Sequence, residues 1–442
     1  MKGLFFCFRI TRAMPKYQII TFGCQMNKSD SERIAAVLEK IGYQKTLDEK
    51  EADLIVVNAC SVRQSAVDRI YGLIERFKTK GYPSSSVLGG LRRGKGKIIL
   101  TGCILNSDKK NLIGKVDFIL DIKKLAGWPK IIGGEIKKLP VNYLDIVPDY
   151  QSPFSALVPI SAGCNNFCSY CVVPYVKGRE TFRPAGKIIE EIKCLIKKGY
   201  KEIWLLGQNV NSYQDGKINF PKLLKMVDTI TGDFWIRFTS SHPKDFSNEL
   251  IATMTVGKKI TPYLNLPVQA GDDEILRKMN RPYTVKHYQN LVKKIRQAIP
   301  KITLSTDVIV GFPSETKKQF ENTVKLFKKI KYDMAYIAKY SPRAGTAAAK
   351  MKDDVPAKEK QRRWQVLNKT LRQTALEKNK KYIAKTLIVL PEEWKDDFLV
   401  GKSREYKTVK FKGPKTLIGE FSKVKITNAL PWGLKGIVTT CF

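Results

Sequence analysis

The chain has 442 residues, of which 43% are hydrophobic, and this is enough for about three domains with packed cores. Nine cysteines are too few for a disulfide scaffold, and no apolar run is long enough for a membrane span or a cleavable signal. The sequence therefore predicts a cytoplasmic protein that has no membrane partner.

The charge balance points to a polyanionic partner. Lys and Arg total 79 against 41 Asp and Glu, a formal net charge of +38. Nucleic acid is the commonest polyanion for a protein of this kind. The lysines are spread along the whole chain and do not form one basic arm, so a general lysine bias of the source stays open as the alternative.

Residues 1–13 are predicted to be a tail. Over residues 14–140, apolar runs alternate with amphipathic helical stretches, which predicts a small parallel α/β sheet. The run GYPSSSVLGGLRRGKGK, rich in Gly, Ser and basic residues, is predicted to be an exposed loop of this domain.

Three of these strands end in a cysteine. YQIITFGC ends at Cys24, DLIVVNAC at Cys60 and KIILTGC at Cys103. Because the carboxyl ends of parallel strands meet at one edge of a sheet, we expect the three thiols to converge and form a cluster of ligands. Ordinary buried thiols that pack as small hydrophobic groups are the alternative.

The alternation of strands and helices continues over residues 150–377. It predicts an incomplete parallel (β/α)6 barrel with its active site at the carboxyl ends of the strands. The six strand candidates are ALVPIS, EIWLLGQ, WIRFTS, YLNLPVQ, LSTDVIVG and MAYIAKYS.

A CxxxCxxC triplet lies after the first of these strands, in GCNNFCSYC, and consists of Cys164, Cys168 and Cys171. Three thiolates can hold three irons of a cubane and leave the fourth iron open for chemistry. The alternative is a zinc knuckle, but zinc prefers a fourth Cys or His ligand, and residues 161–184 contain neither.

The other cysteines carry no predicted chemistry. Cys7 lies in the tail, Cys194 is expected in the core of an amphipathic helix, and Cys441 is the penultimate residue. Residues 378–442 consist of short β runs and predict a small β-barrel of the oligonucleotide-binding kind. We expect that this segment can be removed without loss of the preceding domain.

Long motifs from Met14 onward resemble the MiaB-type tRNA methylthiotransferases, which are radical S-adenosylmethionine enzymes. The sequence departs from the family pattern in the basic loop before Cys103, in QAGDD and in GFPSE, which bears on fine specificity. The matching motifs are TFGCQMNKSDSE, NACSVRQSA, TGC, GCNNFCSYCVVPYVKGRETFRP, LLGQNVNSY, RFTSSHP, LPVQAGDDEILRKMNRPYT, TDVIVGFPSET and YSPRAGTAA.

The resemblance implies three domains: a methylthiotransferase N-terminal domain at 14–140, a radical S-adenosylmethionine core at 150–377 and a TRAM domain at 378–442. It also implies two [4Fe-4S] clusters and S-adenosylmethionine as cofactors. The radical cluster would be bound by Cys164, Cys168 and Cys171, and an auxiliary cluster by Cys24, Cys60 and Cys103.

The activity implied is transfer of a methylthio group to C2 of N6-isopentenyladenosine next to the anticodon. The expected partners are a tRNA anticodon stem-loop, an external electron donor and a sulfur donor, and a monomer is expected. Two alternatives stay open: methylthiolation of threonylcarbamoyladenosine tRNA or of a ribosomal-protein aspartate, and a zinc-containing, non-catalytic RNA-binding protein.

The residues expected to bind the cofactor lie beside the last cysteine and at the barrel strands. No catalytic residue beyond the cluster cysteines is predicted, and His242, which precedes a proline, is expected to be structural. The cofactor-binding candidates are Tyr170, Gly207, Gln208, Asn209, Arg237, Ser241, Gln269 and Asp307.

Overall fold

The structure is a computed structural model and describes residues 14–62, 64–80, 87–88, 91–92, 96–134, 136 and 139–441. The predicted tail with Cys7 lies outside these residues, as does most of the basic loop before Cys103. The chain divides into two compact units, one ending at Asp149 and one beginning at Tyr150. None of the helices in the described ranges has the length and apolar character that a bilayer crossing requires.

The first unit contains a parallel sheet of five strands in the order β2-β1-β3-β6-β7. All seven residues of its central strand, β3, are buried, as is typical of a parallel strand covered on both faces. This confirms the predicted small parallel sheet. The sheet consists of β1 (Lys16–Thr21), β2 (Gln44–Lys45), β3 (Leu54–Cys60), β6 (Lys97–Cys103) and β7 (Phe118–Ile119), whereas β4 (Val87–Leu88) and β5 (Leu91–Arg92) form a separate antiparallel pair. The helices are α1 (Gln25–Lys40), α2 (Gln64–Lys80), α3 (Asn106–Leu112) and α4 (Trp128–Ile132).

The second unit begins with a series of strands and helices, in which β9–β10 and β12–β13 are short antiparallel pairs. The strands are β8 (Ser155–Pro159), β9 (Ser161–Ala162), β10 (Thr181–Phe182), β11 (Glu202–Leu206), β12 (Gln214–Asp215), β13 (Ile218–Asn219), β14 (Trp235–Phe238), β15 (Tyr263–Asn265), β16 (Thr303–Val310) and β17 (Met334–Lys339). The helices are α5 (Val173–Val176), α6 (Ala185–Lys197), α7 (Phe220–Asp228), α8 (Asn248–Val256), α9 (Asp273–Lys278), α10 (Val285–Ala298), α11 (Lys317–Ile330) and α12 (Ala357–Lys380).

Six of these strands form the predicted partial barrel. They make two parallel sheets, β8-β11-β14 and β15-β16-β17, in which spatial order follows chain order. Ile236 joins the two sheets: its amide nitrogen donates to the Lys259 carbonyl oxygen at 2.9 Å, and it forms a parallel bridge with Ile260. The carboxyl ends of all six strands therefore lie on one side, the barrel mouth.

The C-terminal segment forms a closed five-stranded barrel in the order β18-β19-β20-β22-β21, which confirms the predicted small β-barrel. Two strands cross closely at Gly401, where a Cβ atom would lie 2.1 Å from the Leu390 carbonyl oxygen. The strands are β18 (Thr386–Lys395), β19 (Phe398–Ser403), β20 (Thr408–Lys412), β21 (Ser422–Leu430) and β22 (Gly433–Cys441).

This small barrel is anchored to the rest of its unit by a buried ionic contact. Asp333, just before β17, accepts from Lys407 of the small barrel at 2.7 Å and from Lys378 of α12 at 2.6 Å. Burial alone would raise the pKa of Asp333, but Lys407 and Lys378 lower it below its ordinary value. Because of these contacts we expect removal of residues 378–442 to disturb the preceding barrel, which differs from the prediction made from the sequence, and α12 itself extends to Lys380.

Candidate functional site

The first cysteine set lies in a tight loop between β9 and α5. The Cys171 amide donates to the Cys168 carbonyl oxygen at 2.9 Å. Phe167, which precedes Cys168, has a left-handed backbone with φ of 46°. Asn280 holds this turn, because its side-chain nitrogen donates to the Phe167 carbonyl oxygen at 3.0 Å. Cys164 is placed by its amide, which donates to the Gly178 carbonyl oxygen at 3.2 Å.

These thiols lie close enough to affect one another's ionisation. Burial raises the pKa of Cys171 to about 12, and the neighbouring Cys168 and Cys164 add to the shift. Burial also raises the pKa of Cys164, again with a contribution from Cys168. Since the thiolate is the ligand form, a metal centre here must displace the protons of these thiols.

The described residues contain no group of three or more His, Cys, Asp or Glu side chains placed to bind a single metal ion. A tetrahedral zinc ion holds thiolates at about 2.3 Å, so its ligand atoms crowd within about 4 Å of one another. In an iron–sulfur cubane each cysteine binds a different iron, so the ligand sulfurs stand farther apart. Cysteines spaced for a cluster would therefore not form such a single-ion group.

Two glycines bring the cysteine loop against the barrel mouth. Gly163, just before Cys164, has φ of 85°, and a Cβ there would lie 2.1 Å from the Arg179 carbonyl oxygen. Its amide donates to Gln208 Oε1 at 2.5 Å, so this predicted cofactor residue anchors the cysteine loop. At Gly207 a Cβ would lie 2.5 Å from Ser161 Oγ, so only glycine fits without a shift.

Buried polar atoms without a hydrogen-bond partner gather at the ends of β8, β11 and β14. Among the described residues they include Ser161 Oγ, Asn209 Oδ1, Ser241 Oγ and His242 Nε2. Each of these side chains is at most 5% exposed. Buried polar groups are almost always paired, so four such atoms at one barrel mouth fit a polar ligand.

His242 has a defined protonation state. Burial lowers its pKa to about 2, with further lowering by Arg281 and Lys244, so the imidazole is neutral. Its Nδ1 accepts from the Lys244 amide at 3.2 Å, which leaves the proton on Nε2. His242 thus has the predicted structural contact and also a donor without a partner at the mouth.

Gln269 and Asp307 are neighbours at the same end of the barrel. Gln269 has φ of 69°, and its amide donates to the Asp307 carbonyl oxygen at 2.9 Å. Asp307 Oδ2 accepts from Asn265 at 3.1 Å. Tyr170, next to the cysteines, is a partly buried aromatic that packs against the main core, and burial raises its pKa well above the ordinary value.

Arg237 is the candidate that the structure does not bring to the mouth. It lies inside β14 between the core residues Ile236 and Phe238, so its side chain points to the opposite face of the sheet. Its guanidinium binds Glu202 Oε1 at 2.5 Å and the Ser403 carbonyl oxygen at 2.9 Å. The predicted cofactor-binding role is corrected: Arg237 fastens the C-terminal barrel.

Arg237→Ala should destabilise the second unit by about 3–5 kcal/mol, because the Glu202 carboxylate would stay buried without a counter-charge. Urea unfolding measures the loss, and adding Glu202→Gln should recover part of it. Arg362→Ala is the control, since its pair with Glu359 is 48% exposed on the arginine side and should contribute less than about 1 kcal/mol. An equal effect of both single variants would contradict the structural role.

The second cysteine set converges in the first unit. Cys60 and Cys103 end β3 and β6 and are direct neighbours in the sheet register. Cys24 is the N-cap residue of α1, and both Cys24 Sγ and Cys103 Sγ lie near Asn27 Oδ1, at 3.6 and 3.9 Å. A Cβ at Gly23 would lie 2.9 Å from Cys60 Cβ. The predicted convergence of three strand-end thiols is therefore present.

A pair of asparagines fixes this arrangement, and neither was predicted from the sequence. Asn27 donates to the Ala59 carbonyl oxygen at 2.9 Å, and Asn58 donates to the Asn27 carbonyl oxygen at 2.8 Å. Gly102 must lack a side chain, because a Cβ would lie 2.3 Å from Asn58 Oδ1. The signal was in the motifs CQMN and NAC, where each asparagine accompanies a cysteine.

The exposure of Cys194 differs from the prediction, and the contact of Arg281 with a cysteine was not predicted. Cys194 is exposed, because the buried face of α6 is formed by Ile188, Ile192 and Leu195. Arg281 is buried and donates from Nη1 to Cys168 Sγ at 3.5 Å. In a chain with so many basic residues, its sequence position gave no signal. The Cys441 side chain lies outside the described residues.

Three family models match the chain. The radical SAM superfamily matches residues 158–327, the uncharacterized protein family UPF0004 matches residues 16–121, and the TRAM domain matches residues 384–439. Among solved structures, the radical S-adenosylmethionine methyltransferase TsrM from Kitasatospora setae has a TM-score of 0.52 at 12% identity, over 76% of this chain and 77% of that one. The fold and the cysteine loop thus define a radical S-adenosylmethionine enzyme.

Relatives define the family more closely. The tRNA-2-methylthio-N(6)-dimethylallyladenosine synthase of Dictyoglomus thermophilum is 41% identical over 96% of this chain and 99% of that protein. The synthase of the same name from Carboxydothermus hydrogenoformans is 41% identical over 96% of this chain and 100% of that protein. The chain belongs to this family of tRNA methylthiotransferases, which confirms the resemblance read from the motifs.

Proposed function

We propose that this protein adds a methylthio group to C2 of N6-dimethylallyladenosine, also called isopentenyladenosine, in tRNA. The observation that carries the proposal is the convergence of two separate sets of three cysteines in one chain. Relatives that match almost the full length are named for this reaction. An unactivated aromatic carbon must lose hydrogen and gain sulfur, which ordinary acid–base groups do not achieve.

The residues present fit two [4Fe-4S] clusters and S-adenosylmethionine. Cys164, Cys168 and Cys171 would hold one cluster, and Cys24, Cys60 and Cys103 the other. When bound, the first cluster and S-adenosylmethionine supply the radical chemistry that activates C2. Three thiolates per set leave one iron without a protein ligand.

The chain's own residues then do the positioning. Gly163 and Gln208 set the cysteine loop against the barrel strands, and the partnerless buried atoms of Asn209, Ser241 and His242 supply acceptors and a donor for the polar end of S-adenosylmethionine. The His242 imidazole, neutral at working pH, acts as a hydrogen-bond donor through Nε2 and not as a cation.

The small C-terminal barrel offers a surface for tRNA. Lysine side chains lie over exposed or half-buried aromatic rings there: Lys410 lies 4.3 Å from the Phe398 ring centre, and Lys415 lies 5.3 Å from the Trp394 ring centre. Alternating rings and cations suit unpaired bases and backbone phosphates. An external electron donor, a sulfur donor, a monomeric state and a cytoplasmic location stay predictions.

Mass spectrometry of tRNA nucleosides tests the proposal. The full chain is expressed in a bacterial strain that lacks its own enzyme, and the methylthiolated dimethylallyladenosine nucleoside should appear while its precursor falls. Cys168→Ala, expressed to the same level, should give none. A methylthiolated threonylcarbamoyladenosine or ribosomal protein instead would contradict the proposed substrate, and zinc in place of iron would contradict the proposed reaction.

A further inference from the structure

Arg281 is a buried cation with an unusual set of neighbours. Its side chain is held at three points: Nη1 donates to Cys168 Sγ at 3.5 Å, Nη2 to the Pro267 carbonyl oxygen at 2.9 Å, and Nε to Tyr283 Oη at 2.9 Å. The residue is only 7% exposed. A thiol, a carbonyl and a phenol offer no formal negative charge to balance the guanidinium.

Three other buried arginines of the same unit are balanced by carboxylates. Arg183, Arg237 and Arg363 each have a carboxylate within 2.7 Å. Arg281 forms no such ion pair with any residue that the structure describes. A buried charge is costly unless it is paired, so the geometry favours a negative charge at Cys168, carried by its thiolate and by a group bound to it.

We infer that Arg281 is the counter-charge of the iron–sulfur cluster held by Cys164, Cys168 and Cys171, and that it raises the reduction potential of that cluster. The inference rests on the proposed function, which places a cluster at these cysteines. Reduction adds one electron from the external donor, with no bond made or broken. A fixed positive charge beside one ligand sulfur stabilises the more negative, reduced form over the oxidised form.

The geometry also explains why the cation is an arginine. Two of its three anchored groups bind outside the cysteine loop, at Pro267 and Tyr283, and these contacts fix the plane of the guanidinium. The remaining group, Nη1, is then aimed at Cys168 Sγ. A lysine would lack the planar fork but keep the positive charge. Because the charge shifts the reduction potential, a lysine should preserve most of that shift.

Potentiometry tests this inference without measuring turnover. The full chain carries alanine at Cys24, Cys60 and Cys103, so that only the cluster at the CxxxCxxC loop contributes, and S-adenosylmethionine is left out. Reduced cluster is quantified by electron paramagnetic resonance at set potentials. Arg281→Gln should lower the ratio of reduced to oxidised cluster about tenfold at a given potential, a midpoint about 59 mV more negative for a one-electron couple.

The midpoint potential of Arg281→Lys should stay near that of the parent protein. The matched control is Arg277→Gln, which removes the same charge from an exposed site four positions earlier. Equal ratios for Arg281→Gln and Arg277→Gln would overturn the inference. If Arg281→Gln holds no iron, Arg281→Lys decides: retained iron supports the role of charge, and equal loss overturns it. A parent protein without a cluster would instead mean that the proposed function itself has failed.

Discussion

Replacing Cys164, Cys168 and Cys171 together with alanine should leave about half of the iron and sulfide of the reconstituted protein, because the second set of cysteines is separate and intact. The same variant should no longer cleave S-adenosylmethionine. The backbone should tolerate the change, since the loop is held by backbone and Asn280 contacts and each thiol behaves as a small hydrophobic group.

Anaerobic iron and sulfide analysis measures the first effect, and 5′-deoxyadenosine formation measures the second. Cys194→Ala is the matched control, because that thiol is exposed and lies outside both sets. Circular dichroism of the variants checks that the fold is kept. Unchanged iron in the triple variant, or zinc in the parent protein, would contradict the assignment of this loop to an iron–sulfur cluster.

The sequence predicted the strands and the convergence of their cysteines because both depend on local pattern and one general rule. Parallel strands buried on both faces appear as continuous apolar runs, as in LIVVNAC, all of which is buried. Residues that follow such strands share an edge, so Cys60 and Cys103 could be placed together before their register was known.

What the sequence did not reveal depends on contacts between distant segments. Arg237 reads as a polar residue near a strand end, but its partner at Ser403 lies 166 positions away. The contact of Arg281 with a cluster cysteine could not be predicted, because Cys168 lies 113 positions earlier and reaches Arg281 only in the folded barrel. Cys194 was expected to be buried but is exposed. The reason is local, since the helical phase of α6 places it one position before the buried Leu195.

The attachment of the C-terminal barrel has a consequence for experiments on tRNA binding. Deletion of residues 378–442 would remove Lys378 and Lys407, both partners of Asp333, and the carbonyl groups that bind Arg237. Asp333 would lose both of its counter-charges and Arg237 two of its acceptors, so such a deletion would damage the central barrel as well as the RNA surface. Changes to exposed lysines of the small barrel separate these effects.

Cys60→Ala should abolish methylthiolation while S-adenosylmethionine is still cleaved. Cys60 ends β3 beside Cys103 and Gly23, so its loss removes one ligand from the set in the first unit. The cysteine loop of the second unit keeps its own contacts, and formation of 5′-deoxyadenosine should continue. Methylthiolated product should fall by more than about a hundredfold, since loss of a ligand exceeds the 10–100-fold cost of losing a supporting contact.

Asn27→Ala provides a graded comparison, because Asn27 supports the cysteines through Asn58 and the Ala59 carbonyl without being a ligand itself. It should lower product by about 10–100-fold and leave some of the second cluster in place. Both variants are assayed for iron, 5′-deoxyadenosine and methylthiolated nucleoside in parallel. Full product formation by Cys60→Ala would show that the upstream cysteines are ordinary core residues, whereas loss of 5′-deoxyadenosine as well would show that the two sets do not act separately.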